Sequence, residues 1–194
     1  MRRFNDYWLI LPRILNSSME TKHQFLQATR DIPNFPKEGI VFKDIMPVFA
    51  DATLTKKIIL EIGLELKGAG ATKIAGLESR GFLIGAPLAL SMELPFVCVR
   101  KKGKLPGVVL RKSYELEYGQ SEIEIQADAF GPNDKVIIHD DVLATGGTAL
   151  AAKELIESTG AKVIGFSFLM EVEFLKGRDK LTQNGTDIYT FATV

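Results

Sequence analysis

Disulfides, membrane spans and an overall charge are all missing from this chain of 194 residues. Its one cysteine, Cys98, sits in an apolar run; it cannot form an intramolecular disulfide, suits a reducing compartment, and reads as a small core residue rather than a nucleophile. No stretch approaches the roughly 20 apolar residues of a membrane-spanning helix. Lysine and arginine total 24, as do aspartate and glutamate, so no global field draws the protein to nucleic acid and any anion site must be a local cluster. No histidine, cysteine and acid cluster has metal-ligand spacing. The patterns G-x-x-x-x-G-K-[ST] and helix-opening G-x-G-x-x-G are absent, as are internal repeats. A composition 46% hydrophobic and 25% charged is that of an ordinary soluble globular domain, long enough to bury a core without staples.

What is present concentrates between Lys135 and Leu150, KVIIHDDVLATGGTAL. Val136-Ile137-Ile138 is β-branched and too short for a helix, which predicts a buried strand of a parallel sheet. It ends on Asp140 and Asp141, at the crevice where open α/β sheets place ligands. Ala144-Thr145-Gly146-Gly147-Thr148 follows. Two glycines let backbone approach an anion, two threonines offer hydroxyls, and the helix beginning near Thr148 aims N–H groups and its positive dipole end at one spot. Carboxylates repel a phosphate, so acids beside such a loop need a second purpose. The vicinal 2′ and 3′ hydroxyls of a ribose supply it, with the 5′-phosphate in the loop.

Elsewhere, Glu20 to Thr29 reads as a short helix and Asp31 to Asp44, with its prolines and Gly39, as an ordered loop. Asp51 caps an amphipathic helix to Lys67. Strands are predicted at Lys73 to Leu77, Pro95 to Val99, Lys135 to His139, Lys162 to Leu169 and Asp187 to Phe191. Helices are predicted at Gly81 to Met92, Gly147 to Ser158 and near Phe174 to Leu181. Val108 to Glu117 and Glu122 to Ala127 alternate as a hairpin. Strands alternating with helices imply an α/β fold, a parallel twisted sheet flanked by helices. In MRRFNDYWLILPRILNSS the apolar stretch is short, Pro12-Arg13 interrupts it, and no cleavage site follows. Residues 1–18 are therefore expected to be a disordered extension, or to lie upstream of a start at Met19, ahead of a single domain over 19–194.

Glu78-Ser79-Arg80-Gly81 follows a strand and opens a helix, a second anion-binding turn. Arg80 carries a planar, permanently charged fork suited to pyrophosphate, and a cation at a helix start is an odd choice without an anion. Arg100 to Gly107 packs four cations among glycines and a proline; by itself it reads as a solvated loop. Alternation puts Glu115 and Glu117 on one face, and sequence alone does not choose between them. His139 is expected to alternate away from the ligand into a neighbouring layer.

The Lys135 to Leu150 stretch resembles the binding motif of the type I phosphoribosyltransferases, which bind 5-phosphoribosyl 1-pyrophosphate (PRPP). Asp31 to Ile45, DIPNFPKEGIVFKDI, with Gly76-Leu77-Glu78-Ser79-Arg80-Gly81-Phe82 and Arg100 to Gln120, are similar to the adenine-specific branch of that superfamily. The similarity runs from about Thr21 onward. It implies the type I fold, with a small N-terminal hood at about 19–50 and a flexible hairpin lid at about 100–122. The reaction it implies is adenine plus PRPP giving AMP plus pyrophosphate, a cytoplasmic purine-salvage step.

The resemblance also implies site roles. Asp140, Asp141, Ala144, Thr145, Gly146, Gly147 and Thr148 would bind the ribose phosphate. Glu78, Ser79, Arg80, Arg100, Lys101 and Lys104 would meet pyrophosphate, with a cis bond between Glu78 and Ser79. Val41, Phe42 and Lys43 would hold adenine, Phe42 by stacking and the other two through backbone groups. Glu117 would act on the purine N7 and Tyr118 would belong to the lid, with Glu117 and Arg80 as the catalytic pair. Lys43 stands where arginine is common and Glu38 where a second proline is common. Mg²⁺ is expected to arrive with PRPP, with at most outer contacts to Asp140 or Asp141, and no direct protein ligands. A homodimer is expected, with no nucleic-acid or membrane partner. The alternatives are a xanthine- or hypoxanthine-using enzyme of the same fold and a non-catalytic PRPP-binding regulator.

Overall fold

The computed structural model describes residues 7–115, 120–182 and 185–194, with side chains from residue 18 onward. The chain divides into two compact units, Met1–Glu61 and Ile62–Val194. In the first, helix α1 runs over Tyr7–Ala28, strands β1 (Arg30–Pro33) and β2 (Val41–Asp44) pair antiparallel, and helix α2 (Met46–Ala50) precedes α3 (Ala52–Leu66), which crosses into the second unit. Phe25, Ile45, Val48 and Ile58 are fully buried there. Each such side chain contributes about 1.5–3 kcal/mol relative to exposure. Asp51 caps α3 as its sequence predicts: Oδ1 accepts from the Thr53 and Leu54 N–H groups.

Two differences from the sequence reading fall in this unit. The Asp31 to Asp44 loop contains the β1–β2 hairpin, held by ion pairs Arg30–Asp44 and Lys43–Asp31 at facing positions. Helix α1 starts at Tyr7, well ahead of Glu20: no glycine or proline interrupts it from Ile14 to Ala28, and it continues N-terminally through Pro12.

The second unit is a seven-stranded sheet in the order β5-β6-β4-β3-β7-β8-β9. Its members are β3 (Lys73–Leu77), β4 (Phe96–Lys101), β5 (Val109–Glu115), β6 (Gln120–Gln126), β7 (Lys135–Leu143), β8 (Lys162–Glu171) and β9 (Asp187–Thr193). Strands β4, β3, β7, β8 and β9 are parallel, while β5 and β6 add an antiparallel hairpin at the β4 edge. Helices α4 (Gly81–Ser91), α5 (Gly147–Glu157) and α6 (Gly177–Thr182), with a 3₁₀ turn at Glu173–Leu175, complete it. Val136, Ile137 and Ile138 are at most 1% exposed. A central strand covered on both faces reads as a continuous apolar run, which is why this stretch does not alternate. The core continues through Leu77, Val99, Ile125, Leu155, Phe166 and Phe168. Among the described residues no helix is long and apolar enough to cross a membrane.

Candidate active site

Strands β3 and β7 are neighbours, and each delivers a turn and a helix start at its carboxyl end. After β7, Gly146 adopts φ +74° and α5 begins at Gly147. An L side chain is disfavoured at that angle by about 1–2 kcal/mol. Among the described residues no side chain caps α5, so its first-turn N–H groups are left for an incoming anion. Ala144 and Thr145 are half-buried ahead of them. The Thr148 hydroxyl donates to the Tyr114 hydroxyl on β5, 3.2 Å away, and the Glu115 carbonyl lies near Gly147. From beneath, Gly177 of α6 packs against Ala144 and Gly146 so closely that a Cβ on Gly177 would collide with the Ala144 carbonyl. Arg178 anchors that turn: it pairs with the buried Glu171 carboxylate and donates to the Ile188 carbonyl (3.3 Å) and Thr190 Oγ1 (3.2 Å).

The acid pair belongs to β7 itself, which continues past Asp140 and Asp141 to Leu143 rather than ending at His139. Asp140 is half-buried and Asp141 is 5% exposed. Burial pushes the Asp140 carboxyl well above its ordinary range, and the neighbouring Asp141 adds to the rise. Burial also raises Asp141, against the opposing pull of Arg80, whose Nε lies 2.7 Å from Asp141 Oδ2. Both carboxylates are largely withdrawn from water, a setting in which the two hydroxyls of a vicinal diol would act as donors. His139, as alternation implies, faces away: it is fully buried, its Nδ1 lies 3.1 Å from Ser167 Oγ, and its ring packs near Gly85 of α4. Burial holds it down to about 3, so it is neutral.

After β3 the Glu78–Ser79 peptide is cis, and Arg80 opens α4. Gly81 is required for closeness: a Cβ there would stand 2.9 Å from both Asp140 Oδ1 and the His139 carbonyl. The second turn is therefore seated directly on the acid pair, and Arg80, Asp140 and Asp141 form one cluster. Glu78 reaches the other way. Its Oε1 accepts from Arg100 Nη2 (3.1 Å) and its Oε2 from the Lys101 N–H (2.8 Å). Burial opposes it, but those two donors hold the Glu78 carboxyl below its usual range. Arg100 Nη1 also donates to the Lys104 carbonyl at 3.1 Å. Glu78, Arg100, Lys101 and Lys104 thus share one network, with the Lys101 and Lys104 side chains outward.

Glu117 and Tyr118 lie outside the described residues. Val41, Phe42 and Lys43 are on β2 in the first unit; the Phe42 ring meets Phe35 edge-on at 5.1 Å, and the Lys43 ammonium is committed to Asp31 at 2.7 Å. Sequence reasoning passed over Tyr114, Glu124, Gly177 and Arg178. Only Arg178, a guanidinium in an otherwise ordinary helical segment, carried a local hint; the others owe their places to pairing across the sheet.

A family model described as "Phosphoribosyl transferase domain" matches residues 50–190. The chain is 49% identical over 156 residues to the adenine phosphoribosyltransferase of Streptomyces clavuligerus, covering 80% of this chain and 88% of that one. The crystal structure of adenine phosphoribosyltransferase from Thermoanaerobacter pseudethanolicus superposes with a TM-score of 0.85 at 46% identity, covering 89% of this chain and 99% of that one. The Saccharomyces cerevisiae enzyme, crystallised with D-2,5-dideoxy-2,5-imino-altritol 1,6-bisphosphate and adenine, gives 0.84 at 44% identity and covers 89% of this chain and 99% of that one.

Proposed function

The chain belongs to the phosphoribosyltransferase family, and from that premise we propose that it transfers the phosphoribosyl group of PRPP to adenine, giving AMP and pyrophosphate. The observation that carries this reading is the acid pair Asp140–Asp141, largely withdrawn from water on the strand that leads into an uncapped helix start. The carboxylates take the ribose 2′ and 3′ hydroxyls. Ala144 to Thr148 takes the 5′-phosphate through amides and hydroxyls. Adenine as acceptor is supported by the relatives, one of them crystallised with that base.

Catalysis is positioning and electrostatics. With PRPP held at both phosphate ends, the bond from the sugar's anomeric carbon to pyrophosphate loosens as N9 of adenine approaches. Arg80 meets the charge growing on the leaving group, joined by Arg100, Lys101 and Lys104, while Glu78 and Ser79 shape the turn that receives it. Glu117 accepts or steers the proton at N7, and Tyr118 closes with the lid to exclude water. Val41 and Lys43 read the edge of adenine through backbone groups, and Phe42 stacks on it.

Among the described residues no three His, Cys, Asp or Glu side chains cluster as a metal site, whereas PRPP is rich in the hard oxygens that Mg²⁺ prefers. Mg²⁺ would arrive as a complex with PRPP, with at most outer contacts to Asp140 or Asp141. When bound, it screens the charge on the pyrophosphate oxygens. We place the reaction in the cytoplasm, as a purine-salvage step, in a homodimer.

Pyrophosphate release from PRPP, measured with adenine, hypoxanthine and xanthine in turn, tests this. Release is expected with adenine and at most slowly with the other two. Faster release with an oxo-purine would transfer the assignment to the xanthine- or hypoxanthine-using enzymes. PRPP binding without turnover of any base would point to a regulator.

A further inference from the structure

We infer that Glu124 is a positioning residue for the pyrophosphate end of PRPP, fixing the loop that presents Lys104 and orients Arg100. The inference deepens the proposed function and rests on it. Glu124 lies on β6, the middle strand of three, directly across from Arg100 on β4 and from Arg111 on β5. It is fully buried. Its Oε1 accepts the N–H groups of both Lys104 and Leu105, each at 2.8 Å, and its Oε2 accepts from Arg111 Nε at 3.1 Å. A carboxylate removed from water costs several kcal/mol unless its oxygens are bonded throughout. Here they are, and these bonds hold the charged form.

The bonds lead to the site. Glu124 pins the Lys104 backbone, the Lys104 carbonyl holds Arg100 Nη1, and Arg100 Nη2 reaches Glu78 in the cis turn. One connected path therefore runs Arg111–Glu124–Lys104–Arg100–Glu78, from the lid strand β5 to the turn assigned to pyrophosphate. Without the carboxylate, the Lys104 and Leu105 N–H groups lose their acceptor, and among the described residues the loop stays tied to β6 only at its ends, Lys102 to Glu122 and Pro106 to Gln126. Arg100 then loses the carbonyl that orients its guanidinium. The 5′-phosphate loop, Ala144 to Thr148, follows β7 and meets β5 at Tyr114 and Glu115 rather than at Arg111, so the defect should fall mainly on ligands carrying pyrophosphate.

The test compares PRPP, pyrophosphate and AMP on the full-length wild type, Glu124→Ala and Glu124→Gln, by calorimetry and product inhibition. AMP keeps the ribose and 5′-phosphate but lacks the pyrophosphate. Glu124→Ala is expected to weaken PRPP and pyrophosphate by on the order of tenfold or more, the scale of losing charged hydrogen bonds, while AMP binds as in the wild type. Glu124→Gln keeps the shape and one acceptor oxygen but sets an NH₂ against Arg111, so its loss is smaller and in the same direction. Equal losses for AMP and PRPP would reveal a general structural role and overturn the inference, as would unchanged PRPP binding. Should Glu124→Ala fail to fold, Glu124→Gln decides: a lowered PRPP-to-AMP affinity ratio supports the assignment and an unchanged ratio refutes it. A wild type that binds neither ligand overturns the phosphoribosyltransfer reading and this inference with it; one that binds both isolates the question to Glu124.

Discussion

Two neighbouring turns of this molecule are built by opposite means, and the proposed function gives each an anion to hold. The loop after β7 has no cation of its own: amides, hydroxyls and a left-handed Gly146 make the cradle, braced by Gly177. In the turn after β3, Arg80 already faces Asp141 and Arg100 already faces Glu78. A neutral cradle suits a phosphate that stays attached through the whole reaction. Cations tethered to acids suit one that must leave, because each arginine has an internal partner to return to once pyrophosphate departs. The difference separates a permanent grip from a releasable one.

The sharpest way to break that distinction is to remove the feature both turns share. Asp140→Asn combined with Asp141→Asn takes away the ribose clasp and Arg80's partner together. Turnover is expected to be abolished while circular dichroism stays native; near-normal pyrophosphate release would reject the role of the pair. The next step down isolates the cradle. Gly146→Ala forces an L residue to φ +74°, with its Cβ 2.9 Å from the Gly177 carbonyl. From about 1–2 kcal/mol of left-handed strain plus that crowding, AMP and PRPP should both weaken roughly tenfold or more. Pyrophosphate inhibition should hold. Weakening of pyrophosphate alone would erase the contrast between the turns.

The third effect is electrostatic and lies beneath the second turn, where Gly81 packs on the His139 carbonyl. His139 stays neutral in the fold down to about 3, whereas the unfolded chain takes up its proton below about 6.5. The unfolded state binds more protons in that window, so this residue's contribution makes stability fall as pH drops from about 6.5 toward 3, by at most about 1.4 kcal/mol per pH unit. Asp140 and Asp141 act with the opposite sign, since their raised pKa values let the fold keep protons that the unfolded chain releases. Thermal melts of wild type and His139→Gln between pH 7 and 5 should therefore diverge, with the variant losing less on acidification. Parallel curves would mean that the ring is not shielded.

How much of this was legible beforehand follows the range of the forces. The β7 strand, its acids and the glycine loop are contiguous, so local chemistry revealed them, and the boundaries of β3 were read correctly. The ends of β7 and β8 ran longer than expected because Val142 pairs with Met170 and Leu143 with Glu171, partners far apart along the chain. The β1–β2 hairpin was missed because its four-residue strands are short and are separated by a connection containing Pro36 and Gly39. Glu124 shows the limit most clearly. Within Ile123-Glu124-Ile125, alternation assigns the acid to the wet face, yet register sets it between two arginines out of water. Which strand lies opposite is not written in the neighbouring residues.

If Ala144 to Thr148 holds the ribose phosphate as proposed, the Arg178 brace gives strand β9 a part in substrate affinity. Because that guanidinium grips β9 at Ile188 and Thr190 as well as Glu171, a premature stop before Asp187 would strip away two of its three partners. The floor under Ala144 and Gly146 would then slacken from a distance, and a truncated protein would lose its hold on nucleotides while every ligand-facing residue remained in place.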